Sequence, residues 1–142
     1  MRRVFAGIMV MLLILSFSQV GCGGGPVLED ARWILISYGD PETPYAVLPD
    51  IEVTARFNSG TKQVRGVGGC NLYAGEYEID GDNLTIKGPF AVTEMWCGDD
   101  VGAQEKAYLD ILLAAESYEA GSDILVIYSG DSVLYFEREE TD

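Results

Sequence analysis

Beyond Asp30 the apolar positions of this chain recur mostly at every second residue, the period of a strand with one buried face. Arg32–Tyr38 is rich in aromatic and β-branched residues and predicts a strand ended by Gly39-Asp40-Pro41. Pro41, Pro44 and Pro49 predict a loop, because proline has no N–H to give a sheet ladder. Ile51–Phe57 alternates again, Asn58–Thr61 supplies a turn, and Gln63–Val67 returns as a hairpin partner. Gly75–Ile79 and Asn83–Lys87 flank Asp80-Gly81-Asp82, a second hairpin, and Phe90–Trp96 reads as a further strand. At the end, Ile124–Tyr128 and Ser132–Glu137 flank Gly130-Asp131, with Leu125, Ile127, Val133 and Tyr135, or their alternates, facing inward.

One stretch changes period. Ala107, Tyr108, Ile111, Leu112 and Ala115 recur at three- and four-residue spacing, the apolar stripe of a helix. Asp99 or Asp100 is placed to cap it, and Glu105, Lys106, Asp110 and Glu116 fall mainly outside the stripe. The helix is expected to stop before Ser117–Gly121. The pattern therefore predicts a mainly β fold: a small antiparallel, barrel-like domain with one helix inserted before the final strands. Closure removes the exposed edges that an open sheet would leave.

The first residues follow another logic. Arg2 and Arg3 precede an apolar stretch from Val4 to Leu15 that is too short to span a bilayer, so residues 1–21 read as a signal peptide. Val20-Gly21-Cys22-Gly23 resembles the bacterial lipobox, in which the cysteine is acylated and becomes the first mature residue. The alternative is a secreted protein cleaved nearby. Residues 22–30 would form a lipidated tether with glycines at 23–25, residues 31–138 the folded domain, and 139–142 an acidic tail. The expected location is the cell membrane or outer membrane, with the lipid as the membrane contact.

Assigning Cys22 to lipid leaves Cys70 and Cys97, an even pair in an oxidising compartment, where a disulfide is the default. Closing the loop between them would contribute about 3.5 kcal/mol by chain entropy. Two free thiols or a redox pair are the alternatives, the latter without a Cys-x-x-Cys motif to support it. With 48% hydrophobic residues the chain is too apolar for disorder, and at 142 residues it is long enough for one domain. Its formal charge of −14 argues against nucleic acid and bare anionic lipid as partners of the domain face, and it favours a cationic one. Histidine is absent, which removes Ser-His and Cys-His nucleophile pairs and every histidine metal site.

Gly69-Cys70-Asn71-Leu72-Tyr73-Ala74-Gly75-Glu76-Tyr77 resembles the Gly-Cys-Asn-x-Tyr-x-Gly-x-Tyr core of the META-domain (HslJ-like) family. Thr93-Glu94-Met95-Trp96-Cys97 is similar to that family's Thr-x-Met-x-Cys segment, and the resemblance runs from about Trp33 to Glu137. It implies a small β fold with a helix, frequent in envelope lipoproteins and linked to stress tolerance, with no catalytic residues, metal or cofactor to carry over.

The remaining chemistry is thin. Gly66, Gly68 and Gly69 lack the helix and Lys-Ser/Thr pair of a phosphate loop, so backbone geometry explains them better. Asn71 is suited to hydrogen-bonding the loop backbone beside the cysteines. Glu76, Glu78, Asp80 and Asp82 would share one strand face, where a calcium site or a carboxylate pair for hydrolysis is the alternative to a solvated surface. Tyr73, Tyr77, Tyr108, Tyr118, Tyr128 and Tyr135 suit a core first and a recognition surface second. The expected function is non-catalytic binding or support at the envelope. A fatty-acid probe fed to cells should label the wild-type chain and leave Cys22→Ser unlabelled; equal labelling of the two would refute acylation at Cys22.

Overall fold

The alternating segments pair with one another in antiparallel fashion almost throughout chain order, and the last strand returns to the first. The computed structural model describes residues 27–140. Its strands are β1 (Arg32–Gly39), β2 (Tyr45–Ala46), β3 (Thr54–Asn58), β4 (Gln63–Val67), β5 (Leu72–Asp80), β6 (Asn83–Val92), β7 (Ser117–Ala120), β8 (Ile124–Ser129) and β9 (Ser132–Arg138), with helix α1 (Asp99–Leu113) between β6 and β7. The expected barrel-like closure takes the form of a ring running β1-β3-β4-β5-β6-β7-β8-β9, sealed by the β1–β9 ladder. The two-residue β2 lies beyond β3 on β1, pairing Ser37 and Tyr38 while β3 takes Arg32–Ile34.

The ring is uneven. β6 and β7 share a single register pair, Asn83 with Ser117, and part beyond it. Helix α1 packs against β6, β9, β1 and β8. Inside lie Trp33, Phe57, Tyr77, Leu84, Tyr108, Leu112, Leu125, Ile127, Leu134 and Phe136, all essentially without solvent contact. Phe57 meets Tyr77 edge-on at 5.1 Å between centroids, a favoured aromatic geometry. The Trp33 indole N–H donates to the Leu28 carbonyl at 2.9 Å, so its one polar atom is satisfied in the core.

Several boundaries differ from expectation for identifiable reasons. The third strand begins at Thr54, because Asp50 adopts φ 61° in a turn where Ile51 N–H donates to Leu48 O. Phe90–Trp96 is not a separate strand: Phe90–Val92 ends β6, and residues 93–98 form a loop. Ser117–Ala120, where only the end of the helix was expected, is β7, because Glu116 and Tyr118 N–H groups bond to Tyr128 and Asp82 carbonyls. The helix N-cap is Gly98 with no side-chain cap; Asp99 and Asp100 sit in the first turn, where negative charge suits the helix dipole. On β9 the buried residues are Leu134 and Phe136 with Val133, while Tyr135 is half-buried. Glu105, expected outside the apolar stripe, is buried.

The domain also reaches past the expected limits of 31–138. Leu28 is buried, Glu29 bridges to Phe57, and Glu139 pairs with Arg32 through backbone and side chain. Residues 1–21, Cys22 and the first part of the tether lie outside the described residues. Among those described, no helix is long and apolar enough to cross a membrane.

Glu29 anchors this N-terminal junction. Its Oε1 accepts from Lys62 Nζ at 2.6 Å and from the Tyr77 hydroxyl at 2.5 Å. Burial opposes ionisation, but the Lys62 and Tyr77 hydrogen bonds and the Lys62 charge together hold the carboxyl below its ordinary pKa. Asp30 is likewise held low, by the Ser59 hydroxyl and N–H. A carboxyl whose folded pKa lies below its unfolded value stabilises the fold above that unfolded value and loses the effect as pH falls through the folded one. Thermal unfolding followed by circular dichroism should therefore show a melting temperature that declines below about pH 4. The decline should be shallower in Glu29→Gln; an identical slope would remove Glu29 from the account.

Candidate functional site

Three pieces of chain meet at one end of the ring: the β4–β5 connection, the loop after β6, and the first half of α1. The β4–β5 connection is tight. Gly68 N–H donates to Asn71 O at 2.8 Å, and Gly69 has φ +118°, a conformation that side-chain-bearing residues rarely adopt. A Cβ on Gly68 would stand 2.8 Å from the Glu105 side chain, so glycine there allows the helix to approach. This is the backbone role expected for these glycines.

Asn71 uses every hydrogen-bonding position of its amide. Its Oδ1 accepts from Met95 N–H at 2.6 Å and from the Thr93 hydroxyl at 2.9 Å. Its Nδ2 donates to Met95 O at 3.2 Å and to Glu105 Oε1 at 2.6 Å. Glu105 Oε2 in turn accepts from the Cys70 and Asn71 N–H groups at 3.0 and 2.6 Å. Thr93 Oγ1 also accepts from Leu72 N–H at 3.1 Å. A disulfide joins Cys70 to Cys97 with 5.9 Å between their Cα atoms. The structure thus brings Gly69, Cys70, Asn71, Thr93, Met95 and Cys97 together.

The other motif residues run away from this clamp along β5. Tyr73 is buried beneath it; its hydroxyl donates to Thr54 O at 2.8 Å and lies 2.6 Å from the Tyr108 hydroxyl. Burial raises the pKa of both phenols, Tyr73 and Tyr108, so both are neutral at physiological pH. Gly75 lies under the Phe90 ring, which a Cβ would meet at 2.6 Å, and Tyr77 reaches Glu29 on the far side. Tyr73, Tyr77 and Tyr108 are core, whereas Tyr118, Tyr128 and Tyr135 are half-buried.

Glu76, Glu78, Asp80 and Asp82 are all exposed, and Glu78 is paired with Lys87 at 2.5 Å. Among the described residues no group of three or more Asp, Glu, His or Cys side chains is placed to hold a metal ion. What the clamp does present outward is apolar: Trp96 is 82% exposed, Met95 and Leu72 each 59%, and Val92 39%.

Sequence reasoning missed Glu105 and Gln104. Gln104 is buried, and its Oε1 accepts from Leu48 N–H at 2.7 Å, tying the proline-rich loop to the helix. The signal was present, since 104 and 105 lie one turn before Tyr108 and two before Leu112, on the inward stripe.

A ring of antiparallel strands bolted to one helix through a disulfide-linked asparagine motif defines a small β scaffold whose signature residues hold its own chain together. The chain belongs to the META domain family, whose sequence model matches residues 26–141. Its fold is similar to that of a Burkholderia xenovorans protein solved by NMR, with TM-score 0.68 at 24% identity over 80% of this chain and 85% of that one. A DUF4847 family protein from Bacteroides vulgatus, solved by crystallography, is similar at TM-score 0.58 and 13% identity, over 82% of this chain and 97% of that one. A comparison with the curated proteins finds no match.

Removing the Glu105 carboxylate would strand two backbone N–H groups and one amide N–H in a buried site, each costing about 1–3 kcal/mol. Glu105→Ala should lower unfolding stability by about 3 kcal/mol or more in urea titration with the disulfide intact. A loss below about 1 kcal/mol would show that water replaces the carboxylate.

Proposed function

We propose that this chain is an exported, lipid-anchored member of the META domain family that acts by binding at the cell envelope and supports tolerance of envelope stress. The observation that carries the reading is the exposure of Met95 and Trp96 on a loop pinned from both sides. Asn71 holds both polar backbone atoms of Met95, and the Cys97 disulfide ties down the residue after Trp96. A tryptophan displayed on rigid backbone loses little conformational freedom when a partner covers it, and tryptophan is enriched among interface residues that dominate affinity. Large exposed apolar side chains set side by side are the usual mark of an interaction surface.

Two features support binding over turnover. The motif side chains satisfy one another, which leaves no free nucleophile or base in the clamp. The acidic face of β5 points carboxylates into water, where a surface change costs little. The net charge of −14 suits a cationic envelope protein as partner, with acyl chains on Cys22 providing attachment to the membrane.

Survival under envelope stress in a strain lacking the protein separates the readings, with variants expressed at matched abundance. Trp96→Ala should reduce rescue to about one tenth or less, in line with about 2 kcal/mol for a binding anchor. Glu76→Gln should rescue fully. Loss of rescue by Glu76→Gln in a folded, exported protein would move the function to a carboxylate-dependent site.

A further inference from the structure

The domain is strongly acidic, yet three of its arginines stand in one row. Cross-strand register aligns Arg32 on β1, Arg56 on β3 and Arg65 on β4, and continues the row to Ala74 on β5 and Ala91 on β6. Registered residues point to the same side of a sheet, and here that side is the outside, since Arg56, Arg65 and Ala91 are exposed. Like charges directly opposite each other destabilise a ladder. Arg32 is answered by Glu52 and Glu139. Among the described residues, Arg56 and Arg65 have no carboxylate within ion-pair distance, and the Arg65 guanidinium donates to Gln63 Oε1 at 2.8 Å.

The drop from long arginines to alanines shapes a groove of about 640 Å³ across β4, β5 and β6. Arg65 and Arg32 stand at one end; Val67, Leu72, Ala74 and Val92 line the rest. β4 and β5 are paired along both edges, so the floor has no free ladder of N–H and C=O groups for a peptide. A charged head with an aliphatic chain matches both ends of such a surface. From Arg65 to Ala91 the groove crosses two strand spacings, about 10 Å, a fair length of alkyl chain.

We propose that this groove binds a free single-chain anionic amphiphile, with its carboxylate on Arg65 and its alkyl chain over Ala74 and Ala91. The proposal rests on the binding reading and gives it a ligand class at a groove that borders the Trp96 surface through Leu72 and Val92 without Trp96 in its lining. The acidity of the whole chain disfavours close approach to an anionic bilayer, so the ligand is a monomer taken from solution and not a lipid within a membrane.

Native envelope vesicles carrying the full chain can be irradiated with photoreactive diazirine analogues of laurate, dodecylamine and phosphatidylglycerol, and the adducts mapped by peptide sequencing. The laurate probe should label the segments around Val67, Leu72 and Val92 about tenfold more than the amine probe, the discrimination expected of a charge-assisted contact. Arg65→Glu should lower that labelling about tenfold by reversing the head-group charge. Ala91→Trp should do the same by filling the floor with no change of charge, and Trp96→Ala should leave it intact. The proposal is overturned by equal labelling with laurate and amine, by adducts outside the groove, or by labelling that survives both Arg65→Glu and Ala91→Trp. Groove labelling by the phospholipid probe alone also overturns it, in favour of a membrane surface. An unlabelled groove in a protein whose rescue still depends on Trp96 would refute this site and leave the binding reading standing.

Discussion

The structure turns on one buried carboxylate. Glu105 lies on the inner face of α1 with no cation beside it among the described residues, and the cost of burying it is met by the Cys70 and Asn71 N–H groups and the Asn71 amide. Those donors belong to the β4–β5 turn, so the helix cannot shift without stranding them. The same asparagine holds both backbone polar atoms of Met95, and one side-chain pair therefore fixes three separate stretches of chain. Buried polar networks of this kind are specific because half of one is worse than none.

This matters because the sheet does not finish the job alone. β6 and β7 meet at one register pair, and the helix packs against the strand that is left with an open edge. A Cβ on Gly88 would stand 2.6 Å from the Leu113 side chain, so glycine there lets that leucine pack directly on the strand backbone. At the other end Gln104 reaches the proline-rich loop. The helix thus serves as the closing element of the ring, fastened by polar contacts at its start and by apolar packing at its end.

Most strands were legible in the sequence because alternation reports burial directly, and the hairpins turning at Asp80-Gly81-Asp82 and Gly130-Asp131 stand where their turn residues place them. The helix was legible as an element and in its apolar stripe, with Tyr108, Leu112 and Ala115 buried, but not in the two polar residues that extend that stripe. Gln104 and Glu105 look like solvent residues until their partners, more than thirty positions away in the chain for Glu105, are known. Phe90–Trp96 misled for a related reason: its β-forming residues after Val92 serve the Asn71 clamp and not a ladder. β7 was missed because Ser117–Ala120 is short and takes its place from the strands beside it. The motif was readable as a family signature; that its residues spend their hydrogen bonds on one another was not, since pairing at such distance leaves no local pattern.

The Cys70–Cys97 bond spans β5 and β6 together with the turn at Gly81. It closes the base of a whole hairpin whose tip meets β7, the Gly81 and Asp82 carbonyls accepting from the Tyr118 hydroxyl and N–H, while a Cβ at Gly81 would meet nothing within 4 Å. Length added at that tip would enlarge a loop already closed, and doubling such a loop costs only about 0.6 kcal/mol in closure entropy. The base carries the clamp and the tip carries none of it. The scaffold is thus a modular one, in which length can be added to the hairpin beyond its contacts with Tyr118 while the fastening at its base stays unchanged.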